Sequence, residues 1–541
     1  MYNLDSLSLK IFVEENKDFF LGAVVQKIQM LSKREILLSM RNLGENRKLY
    51  INVNPKFAHM NFITDKDNYF IKIPKEPPMF CMLLRKHLEG AKLSTVSVVE
   101  YERIVEFYFD IYDEIGSLTP MCMAVELMGK HSNVILYNAQ NKIITGCVHN
   151  ISPEKSSVRE VWGGIKYIYP PKQEKTDILK TSISNFYNLD EAQIRDKYYY
   201  FSRGLVNFIF EKGYKERAEV FSALQNLALG QNNLIKDFWM QNIKEEGLSL
   251  PAECNLNSLI EKYFSYFVMK DLMEGRKNGL LRQIKKEFKR FNDIILNSDK
   301  KSNYLSHKEK GDLILANIYK IKEGDKKFSI NGVEIILDEN KTPSQNAQSY
   351  FTLYTKGKKA KEVLEKRKFE AQNNIKYLEE ILFSVENADR PDILDEIEEE
   401  LNEYLLNERG FGANGASSNN KGKRKETGLA VKSIEYQGFT LLLGKNNKQN
   451  DYLIRKASNP EDIWLHAKDC PSGHIIIKTE NGRKPVTDEV LLFGAKLAKE
   501  NSPMKENAKA SIIYTKRKYL KRPPETHLGY VTYREEREIV I

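Results

Sequence analysis

Two stretches near the C-terminal end carry most of the side chains able to engage a ligand. Gly444 to Asp451 reads GKNNKQND, an Asn-rich polar turn between two apolar, strand-like runs, and offers Lys445, Asn446, Asn447, Lys448, Asn450 and Asp451. Asp462 to Lys478 reads DIWLHAKDCPSGHIIIK. This is a strand holding Trp464, His466 and Lys468, a turn through Pro471, Ser472 and Gly473, and a second strand from His474 to Ile477. Together they present an aromatic face, amides and cations, with no nucleophile beside a base. Such a surface suits nucleic acid better than bond-breaking chemistry. Trp464 fits two roles equally, a stacking platform or a core residue. Farther on, YTKRKYLKRPP sets Tyr514, Lys516, Arg517, Lys518, Tyr519, Lys521 and Arg522 in one strand-like run. Lysines on an edge strand block aggregation. The charge of the region favours the other reading, a track for phosphates.

Enzyme signatures are missing or broken. GFTLLLGKN (Gly438 to Asn446) has five residues between its glycines where a phosphate loop has four, and Asn446 where that loop has Ser or Thr. Its middle is an apolar strand, which cannot curl its amides round a phosphate. His466 and His474 are eight apart across a turn, a poor metal spacing, and the five cysteines (Cys81, Cys122, Cys147, Cys254, Cys470) form no C-x-x-C pair. No G-x-S-x-G or H-E-x-x-H occurs. Neither a metal nor a cofactor is expected.

The N-terminal part carries three further polar groups. MLLRKHLEG (Met82 to Gly90) puts Arg85, Lys86 and His87 on a helix, YERIVEF sets Glu102 beside Arg103, and ELMGKHSNVILYN (Glu126 to Asn138) presents His131, Ser132 and Asn133 at a strand entrance. By themselves these are a surface helix, an ordinary ion pair and polar side chains that satisfy turn amides.

The elements behind these motifs separate along the 541 residues, a length that suggests about three or four domains. Residues 1–175 mix helix and strand, and Pro170-Pro171 closes them. Residues 176–255 carry short helical patterns between Gly204, Gly213 and their neighbours. From 256 to 409 the period becomes helical and long: Leu281, Ile284, Phe288, Phe291 and Ile295, then Ala371, Ile375, Leu378 and Leu382, follow spacings of three and four. Between them KKFSINGVEIILD holds Asn331-Gly332, a type I′ hairpin signal, so that a β-hairpin is expected near 325–338. An antiparallel coiled-coil arm with a decorated end follows, in preference to two helices folded onto a core. Residues 410–430, with GFGANGASSNNKGKRKETG, read as a flexible linker. The last domain, 431–541, has 20 Lys or Arg against 14 acids, so +6 of the chain's +10 sits there. The fold class is α+β and multidomain. No run reaches the roughly 20 apolar residues that span a bilayer, and no export signal opens the chain; a reduced, cytoplasmic protein is expected.

Taken together, FCMLLRKHLEGAKL (Phe80 to Leu93), YERIVEF, ELMGKHSNVIL, LILANIYK (Leu313 to Lys320), LDENKTPSQNAQSYF (Leu337 to Phe351), GKNNKQND and DIWLHAKD resemble the NFACT family, in family order and over nearly the whole chain. The resemblance implies an NFACT-N domain (1–175) like the N-terminal domain of DNA glycosylases, a helix-hairpin-helix region (176–255), the arm (256–409) and an NFACT-R RNA-binding domain (431–541). It also implies a ribosome quality-control role. Family members bind large ribosomal subunits, rRNA and protein, that are obstructed by a nascent chain on its tRNA. They recruit alanyl-tRNA for template-free alanine tails that mark the chain for degradation, with room for a small RNA-binding auxiliary factor and no membrane. The family's Asp-Arg pair, on which tailing depends, is here Glu102-Arg103, with the carboxylate one methylene further out. Under the resemblance, the C-terminal extension of eukaryotic members is not expected here. Under this resemblance Glu102, Arg103, Arg85, Lys86, His87, His131, Ser132 and Asn133 meet tRNA. Lys445, Asn446, Asn447, Lys448, Asn450, Asp451, Trp464, His466, Lys468, His474, Lys516, Lys518 and Lys521 hold RNA. The chain itself makes no bond. Two other classes compete. Related proteins have been called fibronectin-binding, which makes a surface adhesin the alternative, although no export signal, wall anchor or repeat supports it. A glycosylase would need an N-terminal Pro-Glu where Tyr2-Asn3 stands.

Overall fold

The computed structural model describes residues 3–64, 73–112, 116–154, 156–230, 232–298, 304–408, 431–524 and 526–541. The linker expected at 410–430, with Lys421 to Lys425, lies outside the described residues. The protein is α+β, with a long helical region and a C-terminal sheet domain. It divides into two compact units, Met1–Leu272 and Met273–Ile541.

The first unit opens with α1 (Ser6–Glu15) and α2 (Lys17–Phe20). Strands β1 (Val24–Ser32), β2 (Glu35–Asn42), β3 (Glu45–Asn52) and β4 (His59–Phe62) follow, then α3 (Met79–Leu88). The sheet resumes with β5 (Lys92–Val98), β6 (Ile104–Asp110), β7 (Met121–Glu126), β8 (Asn133–Asn138) and β9 (Ile144–Cys147). All nine strands form one antiparallel sheet in the order β4-β3-β2-β1-β5-β6-β7-β8-β9. Every residue of β7 is buried. Met121, Met123 and Val125 join the main core, while Cys122 and Ala124 join a smaller one with Tyr137 and Tyr167. A strand covered on both faces reads as a continuous apolar run, which is why alternation alone does not reveal it. Short helices α4 (Glu191–Lys197), α5 (Arg203–Glu211), α6 (Arg217–Ala228) and α7 (Asn232–Glu245) follow.

The unit boundary falls inside α8 (Leu256–Ser298). The second unit continues with α9 (Tyr304–Ala316), the hairpin β10 (Lys327–Ile330) and β11 (Val333–Ile336), and α10 (Pro343–Asn387). Asn331 and Gly332 take φ of +50° and +77°, as a two-residue I′ turn requires. Helix α10 has 45 residues, about 67 Å at 1.5 Å per residue. Thr342 caps it in a capping box, with Pro343 in its first turn. It is closely packed by α9, where a Cβ on Gly357 would overlap Tyr304 and one on Gly311 would press on Phe351. Lower down, the apolar seam is wider than a two-helix stripe. Asn374, Tyr377 and Ile381 are buried beside Ala371 and Leu378. The reason is a third helix, α11 (Pro391–Glu408), which buries Ile393, Leu394, Ile397 and Leu401. Arg276 of α8 donates to Pro391 O at 3.2 Å and to Asp395 Oδ1 at 2.6 Å, and Arg290 to Glu408 Oε2 at 3.1 Å.

The C-terminal sheet contains β12 (Lys432–Tyr436), β13 (Phe439–Leu443), β14 (Ile463–Ala467), β15 (Ile475–Ile477), β16 (Ser511–Lys516) and β17 (Arg537–Val540), in the order β12-β13-β15-β14-β16-β17. Helix α12 (Asn447–Tyr452) lies between β13 and β14, and α13 (Asp488–Glu500) packs on the sheet through Val490, Ala495 and Ala498.

Two expectations are corrected here. GKNNKQND is not a turn but the start of α12. Asn446, at φ −151° and ψ 172°, accepts from Gln449 N at 2.8 Å and caps the helix, while Gln449 Oε1 accepts from Lys445 N at 3.0 Å. YTKRKYLKRPP is not one strand. It leaves β16 after Lys516 and tightens into a 3₁₀ turn over Arg517–Tyr519. Arg517 N donates to Asp462 O and Lys518 N to Pro460 O, and the Arg517 guanidinium donates twice to Ile454 O.

Candidate nucleic-acid interface

In the first unit, Glu102 and Arg103 occupy the turn between β5 and β6. Val99 N donates to Ile104 O at 2.9 Å, Glu102 N to Val99 O at 3.0 Å, and Leu127 N to Arg103 O at 2.8 Å. The preceding Tyr101 has φ +65°, a left-handed conformation that costs a bulky residue about 1–3 kcal/mol. Its surroundings hold it there. The ring stacks on Tyr199 at 4.2 Å and 19°, leans on Tyr200 at 5.2 Å, and its hydroxyl donates to Asp177 Oδ2 at 3.2 Å. Tyr200 is itself left-handed, at φ +77°.

Both side chains are half-buried and lie among charged neighbours. Asp5 caps α1 by accepting from Ser8 N at 2.7 Å, and its second oxygen is buried without a hydrogen bond. Burial pushes the Asp5 carboxyl up, opposed by its bonds to Ser8 and then by the charge of Arg103. Burial pulls Arg103 down, opposed by Asp5 and Glu102. Burial pushes Glu102 up, opposed by Arg103 and Lys175. The guanidinium thus lies in the field of two carboxyls, and its fork suits planar or phosphate acceptors.

The other N-terminal candidates do not gather there. Arg85 Nε donates to Ile28 O at 2.8 Å and lies 3.8 Å from Glu89, tying α3 to β1. Lys86 is exposed, and His87 is half-buried, with burial and then Lys86 lowering its pKa. His131 is exposed. Ser132 and Asn133 are corrected: both are buried and face no solvent. Asn133 Nδ2 donates to His149 O at 2.8 Å, and its Oδ1 accepts from Val134 N and His149 N.

In the second unit the GKNNKQND and DIWLHAKD segments do converge. Lys445, Asn447, Asn450, Trp464, His466 and His474 line one cavity of about 760 Å³. They are not, however, an open RNA surface. Asn446, Asn447, Asn450 and His474 are buried, and Trp464 is 1% exposed, a core residue that cannot offer its face to a base from outside. The amides and cations meet the acidic helix α11 and the residues before it. Lys445 pairs with Asp389, Lys448 with Glu399 at 2.8 Å, Asn446 and Gln449 donate to Glu396 at 2.7 and 2.9 Å, and Asn447 donates to Glu400 at 3.0 Å. Asp451 pairs with Arg455 and Arg522. Lys468 pairs with Glu538, and Lys516 and Lys518 share Glu461, whose carboxyl they hold at about 2. Lys521 is exposed. The acidic partner was visible in sequence as DILDEIEEELNEYLLNE, but nothing local says which cations it meets.

Buried Asp462 ties the entry of β14 to the residues after β15. It accepts from Asn459 N, Thr479 N and Lys478 Nζ. Burial raises its pKa, but these bonds prevail and leave it lowered. Glu400 behaves oppositely. It accepts from Tyr377 Oη at 2.6 Å and Asn447 Nδ2, yet burial pushes it up to about 7 from 4.5. A raised carboxyl favours the fold while protonated, so this contribution is complete below the unfolded pKa and is lost as pH rises through about 7. Thermal melts should show this unit losing stability between about pH 4.5 and 7, with a shallower slope in Glu400→Gln. An unchanged slope in the variant contradicts the assignment.

Among the described residues no group of three His, Cys, Asp or Glu could hold a metal ion, and no helix is long and apolar enough to cross a membrane.

Comparison with known proteins bears on both units. The model of the NFACT N-terminal and middle domains matches residues 5–414, and that of the NFACT protein RNA binding domain matches 431–534. The Rqc2 homolog RqcH of Bacillus subtilis is 29% identical, covering 97% of this chain and 95% of that protein. The Rqc2 homolog RqcH of Streptococcus suis is 27% identical, covering 96% and 94%. Among solved structures, the N-terminal part of the fibronectin/fibrinogen-binding protein from Streptococcus suis is 25% identical, with a TM-score of 0.37, covering 41% of this chain and 84% of that one.

Proposed function

The chain belongs to the NFACT family, and from that premise we propose that it is a cytoplasmic ribosome quality-control factor. It binds large ribosomal subunits obstructed by peptidyl-tRNA and recruits alanyl-tRNA, so that stalled chains gain untemplated alanine tails and are degraded. The observation that supports this most is the end-to-end similarity to the two Rqc2 homologues. The protein itself makes no bond. The ribosome's peptidyl-transferase centre does, and this chain supplies binding and positioning.

In this reading Arg103, in the field of Asp5 and Glu102, grips tRNA, with Lys86 and His131 as surface contacts. Helices α4 to α7 act as the helix-hairpin-helix region. The helical arm reaches a distant part of the subunit, where several weak contacts reinforce one another through high effective concentration. The C-terminal domain holds RNA backbone through lysines outside the α11 contact, Lys521 foremost, and an auxiliary RNA-binding protein shares the particle.

The test is crosslinking and sequencing of RNA bound to the protein in cells, beside sedimentation with purified obstructed subunits. Alanine tRNA and large-subunit rRNA should be enriched, and binding should weaken steeply with salt, with a log-log slope of about −4 for some five phosphates neutralised. A protein that retains no RNA at low ionic strength sinks the proposal.

A further inference from the structure

The cavity of the second unit holds what the ion pairs around it do not explain. Its volume, about 760 Å³, lies in the range of small-molecule sites. Two of its lining side chains, Trp464 and His474, are 1% and 3% exposed, and Trp464 Nε1 and His474 Nδ1 have no hydrogen-bond partner. Buried polar atoms without partners are rare in folded proteins and ask for a reason. The rings around them are ordered. His466 stacks parallel to Trp464 at 5.6 Å and 7°, and His474 stands edge-on to both. Burial holds His466 at about 4 and His474 well below its usual value, so both imidazoles are uncharged near pH 7 and offer one donor and one acceptor each. At the mouth stands Tyr530, 48% exposed.

The charge of the lining selects among ligands. Lys445 is neutralised by Asp389. The other lining lysines, Lys376, Lys432 and Lys505, are equal in number to the lining acids Glu379, Asp469 and Glu500, and burial pushes Glu380 up to about 8. A cavity without net charge does not suit a run of phosphates. It suits a flat, uncharged ring with donors and acceptors on its edge.

We propose that this cavity receives one unstacked base of single-stranded RNA, edge toward Trp464 and His474, with the phosphates left outside it. The inference rests on the RNA-binding role proposed above and adds what part of the RNA enters. Base recognition by neutral polar edges and aromatic faces is how proteins read unpaired RNA.

The test uses the full chain and two probes: a single-stranded RNA dodecamer carrying one 2-aminopurine, and the same sequence as a blunt duplex. Binding of the single strand should change the 2-aminopurine emission. Trp464→Phe keeps an aromatic ring and removes the donor, though the smaller ring leaves space in the core, and Tyr530→Ala alters only the exposed mouth, so that it keeps the test open if the core variant misfolds. Each should weaken the single strand about tenfold and the duplex less than about twofold. Unaltered emission, or variants that weaken both probes equally or neither, overturns the proposal while leaving RNA binding standing. A protein that holds neither probe at low salt overturns the RNA-binding role itself, and this inference with it.

Discussion

Arg103→Ala is expected to lower alanine-tail formation by about 100-fold while changing the affinity for obstructed subunits by less than about 3-fold, because truncating one partner of a charged, hydrogen-bonded contact costs about 2–5 kcal/mol. The subunit contact is spared in this expectation because it is spread over several distant surfaces. The charge of Arg103 also opposes the cost of burying the Asp5 carboxyl. A loss of tailing could therefore follow from a damaged α1 cap. Arg103→Lys separates the two. Lysine keeps the charge beside Asp5 but loses the fork. If the guanidinium grips tRNA, Arg103→Lys melts like the parent and still fails to tail. If only charge balance matters, lysine restores both. Glu102→Asp, the residue that the resemblance implies at this position, should keep tailing within about 3-fold, since the backbone of the turn is held by Val99, Ile104 and Leu127 and by the tyrosine stack rather than by this side chain. Reconstituted tailing with purified obstructed subunits, read beside thermal melts of each variant, decides the matter. Arg103→Ala tailing at the parental rate would remove this corner from the site.

What the sequence discloses here follows the range of the interactions involved. Asn331-Gly332 announces its hairpin because the I′ turn is a property of those two residues. Ile284, Phe291, Ala371 and Leu378 announce a helical seam because period is local, and all four are buried. The cap at Asn446 was also legible, since Asn followed by Gln at the third position is a helix start. Reading the Asn-rich run as a turn missed it. The remainder depends on distant partners. Nothing near Trp464 says that β14 lies inside a six-stranded sheet, where its indole is walled in. Nothing near Ser132 and Asn133 says that the loop at His149 consumes the amide. Tyr199 and Tyr200, which brace the Glu102-Arg103 turn, are about a hundred residues from it in the chain and carry no motif. Residues of GKNNKQND and DIWLHAKD line one cavity, but whether they face solvent or α11 is settled only by tertiary packing.

That packing makes a second large prediction. The contacts between α12 and the helix α11 are of three kinds, and they should not weigh equally. Lys448–Glu399 has its carboxylate mostly in solvent, and such a pair is worth about 0.2–1 kcal/mol. Glu396 accepts from both Asn446 and Gln449, each nearly buried. Glu400 is buried and accepts from Tyr377 and Asn447, so its removal strands two groups at about 1–3 kcal/mol each. Urea melts of the second unit's transition should therefore rank Glu400→Ala as the most destabilising, by about 2–5 kcal/mol, then Glu396→Ala, with Glu399→Ala below about 1 kcal/mol. Raising NaCl to about 0.5 M should erase the effect of Glu399→Ala and leave the other two, because screening acts on exposed charge. Trypsin supplies a local readout. Lys445 and Lys448 are only 19% and 17% exposed at their side chains, and cleavage after them should accelerate in Glu396→Ala and Glu400→Ala. Equal effects from all three variants, all removed by salt, would mean that the helix is held by general attraction to a cationic face. RNA could then displace it by supplying phosphates. The predicted ranking means the reverse: α11 is built into the domain by buried hydrogen bonds. RNA must then be met through Lys521 and the cavity mouth, with the GKNNKQN amides remaining on the protein's own carboxylates.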